Sequence, residues 1–176
     1  MKKFVALLLA AMMVLGAVSV LAEKSPTVNP PVPVKKEAKT FFELVELGTV
    51  GQEYNTKLTE AANQLDVFTP EVQEAIKAAL GENVLVNDMS GVKVINWTEA
   101  DGPQQLVVSG FTTEYKAGSP IVAVLVVVKD GVAEVILPAT VSADYEITMS
   151  WDASMMATGM EADEMLYIIV SPAVAE

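Results

Sequence analysis

IVAVLVVVKDGVAEVIL, residues Ile121 to Leu137, decides how the rest of the chain is read. Asp130-Gly131 separates two apolar runs, and a two-residue turn with φ > 0 at both centres suits Asp-Gly, so the stretch is expected to be a β-hairpin. A two-residue turn sets Val128 opposite Ala133, Val126 opposite Val135 and Val124 opposite Leu137, which makes one face of the ribbon wholly apolar. On the other face Lys129 lies opposite Val132, Val127 opposite Glu134 and Leu125 opposite Ile136, a surface wet near the turn and buried further away. A buried helix is the weaker alternative, because β-branched residues dominate and a turn follows at once.

Turn signals continue the pattern on both sides. Val84 to Val86, Val92 to Thr98, Gln105 to Tyr115, the two arms of the hairpin, Tyr145 to Trp151 and Glu164 to Ser171 read as seven strands. Asp88-Met89-Ser90-Gly91, Glu99 to Pro103 and Lys116 to Pro120 are the expected turns. Tyr145, Ile147, Met149 and Trp151 alternate with polar residues, as in a strand buried on one face. The clearest helix is Pro70 to Leu80, with Thr69 as cap, Pro70 at the first position, Gly81 as stop and a stripe of Val72, Ala75, Ile76, Ala79 and Leu80. Glu53 to Thr59 reads as a short strand, EAANQL after it as a turn of helix, and Asp152 to Thr158 as a short helical turn. Residues 41–47 fit helix and strand equally. The expected fold is mainly β with a small helical N-terminal part: an antiparallel, immunoglobulin-like β-sandwich of about seven strands packed with one or two helices. Ala143 to Ile147 is similar to a tyrosine corner, although Val141 stands where that pattern often has Asp.

Met1 to Ala22 reads as an export signal of bacterial type: Lys2 and Lys3, then apolar Phe4 to Val14, then Val20-Leu21-Ala22 before Glu23. The uncharged run to Ala22 is also just long enough for an uncleaved membrane anchor. Residues 23–39 hold four prolines without periodicity, an extended linker expected to be disordered, and residues 40–176 form a single β-rich domain. The expected location is secreted or cell-envelope associated.

Composition narrows the chemistry. The 176 residues contain no His, no Cys and no Arg, and all 11 basic residues are Lys. Ser-His-Asp and Cys-His catalysis, disulfides and an ordinary structural zinc site are therefore excluded. The net charge of −12 becomes −14 when Lys2 and Lys3 leave with the signal, which disfavours nucleic acid as a partner. No calcium-loop motif, Ser-Lys motif or cofactor motif is present, and Met155, Met156 and Met160 read as gap-fillers. Asn96-Trp97-Thr98 matches a glycosylation sequon by coincidence, inside an expected strand.

Three function classes remain. The first is a non-enzymatic module that binds an extracellular protein or glycan through loops or an edge strand. The second is a carboxylate-dependent hydrolase, which needs two acids across a cleft, and the third a structural spacer of the envelope. Trp151 is expected in the core. Trp97, beside the Glu99 to Pro103 turn, is the candidate ligand-stacking ring, with Tyr115 and Asp101 as companions. The proline-rich leader, FTPEVQEAIKAALG at Phe68 to Gly81, and ITMSWDASMM leading to MLYIIVS make the chain resemble small uncharacterised secreted proteins of gut clostridia and related Firmicutes. That resemblance implies export and a shared domain, and no activity or site residue.

Overall fold

The computed structural model describes residues 41–109, 115–144 and 146–173. Seven antiparallel strands form one sheet: β1 (Phe42–Val45), β2 (Val84–Val94), β3 (Gln104–Val108), β4 (Val122–Val128), β5 (Val132–Val141), β6 (Ile147–Trp151) and β7 (Glu164–Pro172). Their order is β1-β2-β7-β4-β5-β6-β3. The sheet curls until one face of every strand contributes to a single interior core, so it is nearly closed and barrel-like. The mainly β, antiparallel expectation holds. Tyr145, the centre of the suggested tyrosine corner, lies outside the described residues, as do the export signal and the linker.

Among the described residues three helices complete the fold. α1 (Thr49–Glu60) and α2 (Pro70–Leu80) lie on the outer face with a 3-10 turn, Gln64–Val67, between them, while α3 (Ala153–Glu161) links β6 to β7. Outside, Tyr54, Leu65, Phe68, Val72 and Ile76 bury Val122, Val124, Val126, Leu166, Ile168 and Val170. Inside, Ala123, Leu125, Val127, Tyr167 and Ile169 of the same two central strands meet Leu106, Met149, Trp151 and, from α3, Met156. β4 and β7 are therefore covered on both faces, which is why they read as unbroken apolar runs.

The hairpin forms, but its register differs from the expected one by a residue. Val128 pairs with Val132, Val126 with Glu134 and Val124 with Ile136, so Val126 does not face Val135. Lys129 joins Asp130 and Gly131 in a three-residue loop, its N–H donating to the Gly131 carbonyl at 2.9 Å. Asp-Gly does supply the left-handed positions, at φ +53° and +135°. Face matching had no power to select the register, because β4 is apolar on both sides and either alignment buries it.

Other boundaries shift for identifiable reasons. Residues 41–47 resolve as strand at Phe42–Val45, and Glu53 to Thr59 is not a strand but the middle of α1. The two strands expected at Val84 to Val86 and Val92 to Thr98 are one, β2, with a register shift between Val86 and Asp88 in place of the expected turn. Val84 and Val86 face the helices, and across the shift the same alternation turns to the other face, so Asp88 and Ser90 share the barrel side with Val92 and Val94. β3 ends at Val108 rather than Tyr115, and residues 110–114 lie outside the described residues. The Asn96 sequon sits just past β2, with Asn96 at φ +54°. α2 matches its expected range, except that Ala79 is exposed and Thr69 makes no side-chain cap. The DASMMAT turn grows into α3, capped by Asp152, whose Oδ1 accepts from Met155 N–H at 2.7 Å.

Candidate functional site

Neighbouring strands in an antiparallel sheet alternate in direction, so β1 and β3, six steps apart, run the same way. Neither can pair antiparallel with the other. Among the described residues each therefore leaves an outer row of backbone N–H and C=O groups unpaired by another strand, the feature that most readily accepts an added strand. Inward side chains of both edges reach the same core: Phe42 and Leu44 from β1, Leu106 and Val108 from β3. Outward, β1 presents Glu43 and Val45, and β3 presents Gln105 and Val107, with Val45 37% and Val107 43% exposed.

Trp151, in the interior core, touches both edge strands. It is paired on the backbone with Gln104 of β3, while its ring meets Phe42 of β1 edge-on with centroids 5.0 Å apart. The sequence placed Trp151 in the core, and it is 1% exposed. Its Nε1 is buried and, among the described residues, has no hydrogen-bond partner. A buried donor left without an acceptor costs about 1–3 kcal/mol, so this one calls for an explanation.

The residues singled out from the sequence lie elsewhere and are already engaged. Trp97 is buried rather than open at a loop end, and its Nε1 donates to the Gly102 carbonyl at 2.8 Å. Asp101 belongs to the same turn, where its Oδ2 accepts from Thr98 N–H at 2.8 Å and Thr98 Oγ1 at 2.7 Å, a capping box for the short 3-10 turn Glu99–Asp101. Tyr115 is buried and its hydroxyl donates to Asp88 Oδ2 at 3.3 Å, which groups it with β2 and β7 instead. Burial, then the charge of Asp88, pushes the Tyr115 phenol far above its ordinary range. Burial likewise pushes Tyr167 up to about 12, with Asp88 adding to the rise and the Ser90 hydroxyl opposing it. The structure thus builds a polar knot of Asp88, Ser90, Tyr115 and Tyr167, whose one local mark in the chain is the polar pair Asn87-Asp88 inside an apolar strand.

Several carboxylates hold the fold together. Glu164 Oε1 and Oε2 accept from Gly51 and Val50 N–H at 2.7 and 3.0 Å, capping α1 from the start of β7. Glu134, on the helix face of β5, accepts from Tyr54 OH, from Thr69 N–H at 2.8 Å and from Thr69 Oγ1 at 2.9 Å, and so pins α2 to the sheet. Burial raises the Tyr54 phenol well above its ordinary range, with the Glu134 hydrogen bond and charge adding to it. Glu161 pairs with Lys129 at the surface. Among the described residues no cluster of three acids is placed to hold a metal ion, and no helix is long and apolar enough to cross a membrane. The residues that sequence reasoning missed are Phe42, Val45 and Val107; the alternation in Phe42-Glu43-Leu44-Val45, read as an edge strand, was the available signal. No protein-family model, no curated relative and no solved structure matches the chain.

Proposed function

We propose that this protein is a secreted or envelope-associated interaction module without enzymatic chemistry, which holds an extracellular protein on the open edge of its curled sheet. The observation that carries the proposal is the pair of same-direction edges, β1 and β3, bordering one core with Val45 and Val107 turned outward. A protein partner is favoured over a glycan because an edge offers backbone hydrogen bonds, whereas Trp97 and Tyr115, the rings available to stack on a sugar, are buried. The proposal draws on the edge alone and needs neither an immunoglobulin-like topology nor sandwich loops. Export follows the apolar N-terminal segment and the likeness to small secreted clostridial proteins.

The test uses Val45→Lys together with Val107→Lys, because an outward lysine on an edge strand discourages strand addition while leaving the core untouched. Immobilised wild type should retain a protein from culture supernatant that the double variant releases, with circular dichroism of the two unchanged. Equal retention by both would remove the edge from the function.

A further inference from the structure

We propose that Asp130 is a site of spontaneous backbone modification: in the folded protein it converts through a cyclic imide to isoaspartate, while Asp101 is protected from the same reaction. The chain contains two Asp-Gly pairs, Asp101-Gly102 and Asp130-Gly131, whose local chemistry is alike. What separates them is how the fold treats the two groups that react. The inference is independent of what the sheet edge binds.

The reaction joins the main-chain nitrogen of the glycine to the side-chain carboxyl carbon, Cγ, of the aspartate. The protonated carboxyl gives up its hydroxyl and the nitrogen its proton, and the two leave as one water while a five-membered imide closes. Water then opens the ring at either of its carbonyls. One opening restores aspartate, and the other leaves isoaspartate, with the main chain running through Cβ and Cγ. Glycine favours ring closure because it has no Cβ to shield its nitrogen and its backbone turns freely.

At the tip of the β4–β5 hairpin both reacting groups are free. Asp130 and Gly131 are exposed. Neither the Asp130 carboxylate nor the Gly131 N–H makes a hydrogen bond among the described residues; the bond that closes the loop runs from Lys129 N–H to the Gly131 carbonyl and uses neither group. A Cβ built on Gly131 would meet nothing within 4 Å, so the loop has room to rearrange. Asp130 itself sits at φ +53°, a region that non-glycine residues occupy at a cost, which lowers the barrier to leaving it.

At the other pair both groups are held. Asp101 Oδ2 accepts from Thr98 N–H at 2.8 Å and from Thr98 Oγ1 at 2.7 Å, and the Gly102 N–H donates to the Glu99 carbonyl at 3.2 Å. The main-chain carbonyls are engaged as well, that of Asp101 by Gln104 Nε2 and that of Gly102 by Trp97 Nε1, each at 2.8 Å. Ring closure at Asp101 therefore waits on a local opening that the hairpin tip does not need. At the tip the product has a structural consequence. It adds one backbone carbon to the loop between the paired Val128 and Val132, beside the Lys129–Glu161 pair that ties the loop to α3, and those are the contacts it loosens.

The test follows the full chain at body temperature and mildly acid pH, folded in buffer and, in parallel, unfolded in guanidinium chloride. Intact mass is blind to the change, since the water lost is regained. Digested samples are instead mapped by electron-transfer fragmentation, which breaks the Cα–Cβ bond that only an isoaspartyl residue places in the main chain. In the folded protein isoaspartate should accumulate at position 130 at least about tenfold faster than at position 101, the combined effect of the hydrogen bonds that must open there. In the unfolded chain the two positions should react at similar rates. Equal rates at the two aspartates in the folded protein overturn the proposal. So does a position 130 that converts only in the unfolded chain, because the native loop would then keep the Gly131 nitrogen away from the carboxyl carbon.

Discussion

Gly48 and Glu164 stand 116 positions apart and meet in space. A Cβ built on Gly48 would lie 2.5 Å from the Glu164 carboxyl carbon, so the residue before α1 is bare because a carboxylate from β7 occupies the room. Gly48→Ala should therefore lower the unfolding free energy by about 1–2 kcal/mol, the worth of a lost cap. In a Glu164→Ala background, where the space is free and the cap already gone, the same change should cost under about 0.5 kcal/mol, measured as the coupling in a urea double-mutant cycle. Additive losses would mean that the two side chains do not share one site. The buried tyrosines make a second residue-level prediction. Burial pushes the Tyr167 phenol up to about 12, above the ordinary value of about 10 for a free tyrosine. A raised folded pKa gives stability that is complete below the unfolded pKa and lost as pH climbs through the folded one. Between about pH 10 and 12 stability should fall, with Tyr54 and Tyr115 steepening the slope because burial raises them too. Tyr167→Phe should flatten the curve in that window and leave its shape unchanged below pH 9; an identical alkaline slope would count against the burial of this phenol.

At the scale of elements, what the sequence disclosed and what it hid divide by the distance between cause and effect. α2 was legible over its full range since Pro70, Val72, Ile76 and Gly81 act within the segment itself. α1 was not. Its first turn is Thr-Val-Gly-Gln, poor in helix formers, and its N–H groups are satisfied by Glu164 rather than by a neighbour in sequence. β2 reads as two strands because Asp88 and Ser90 look like turn residues, and the tyrosines Tyr115 and Tyr167 beside them give those polar side chains partners on the inward face. Of the candidate site, Trp151 lies inside as its alternation implies, whereas which strands end the sheet is a long-range outcome with no local mark. The hairpin was found by its turn chemistry and misaligned by its symmetry. Gly131 remains the residue that its loop requires, at φ +135° with open space around it. Gly131→Val should then destabilise by about 1–3 kcal/mol through backbone strain alone. A denaturation midpoint equal to that of wild type would remove the strain from the account.

For the whole molecule, β4 and β7 belong at once to the interior core and to the layer under α1 and α2. Loss of either layer strips one face of the same two strands, so the layers should unfold together. Ile76, fully buried where α2 meets the sheet, is the place to look. Ile76→Ala should cost about 2–5 kcal/mol. Tryptophan emission, reporting on Trp97 and Trp151 inside, and far-ultraviolet dichroism, reporting largely on the helices outside, should shift by the same amount and stay coincident. Two separated transitions would show the outer layer leaving on its own. The sheet order also has a mechanical side. The chain enters at Phe42, opposite Val94, and leaves at Pro172, opposite Val84, so entry and exit lie at opposite ends of the eleven-residue strand β2, which β1 and β7 flank. Tension applied through those two points runs along the strands and loads the rungs of the β1–β2 and β2–β7 ladders in parallel, as in lap joints, instead of peeling them open one at a time. A molecule anchored on one side and pulled from the other would yield late and abruptly.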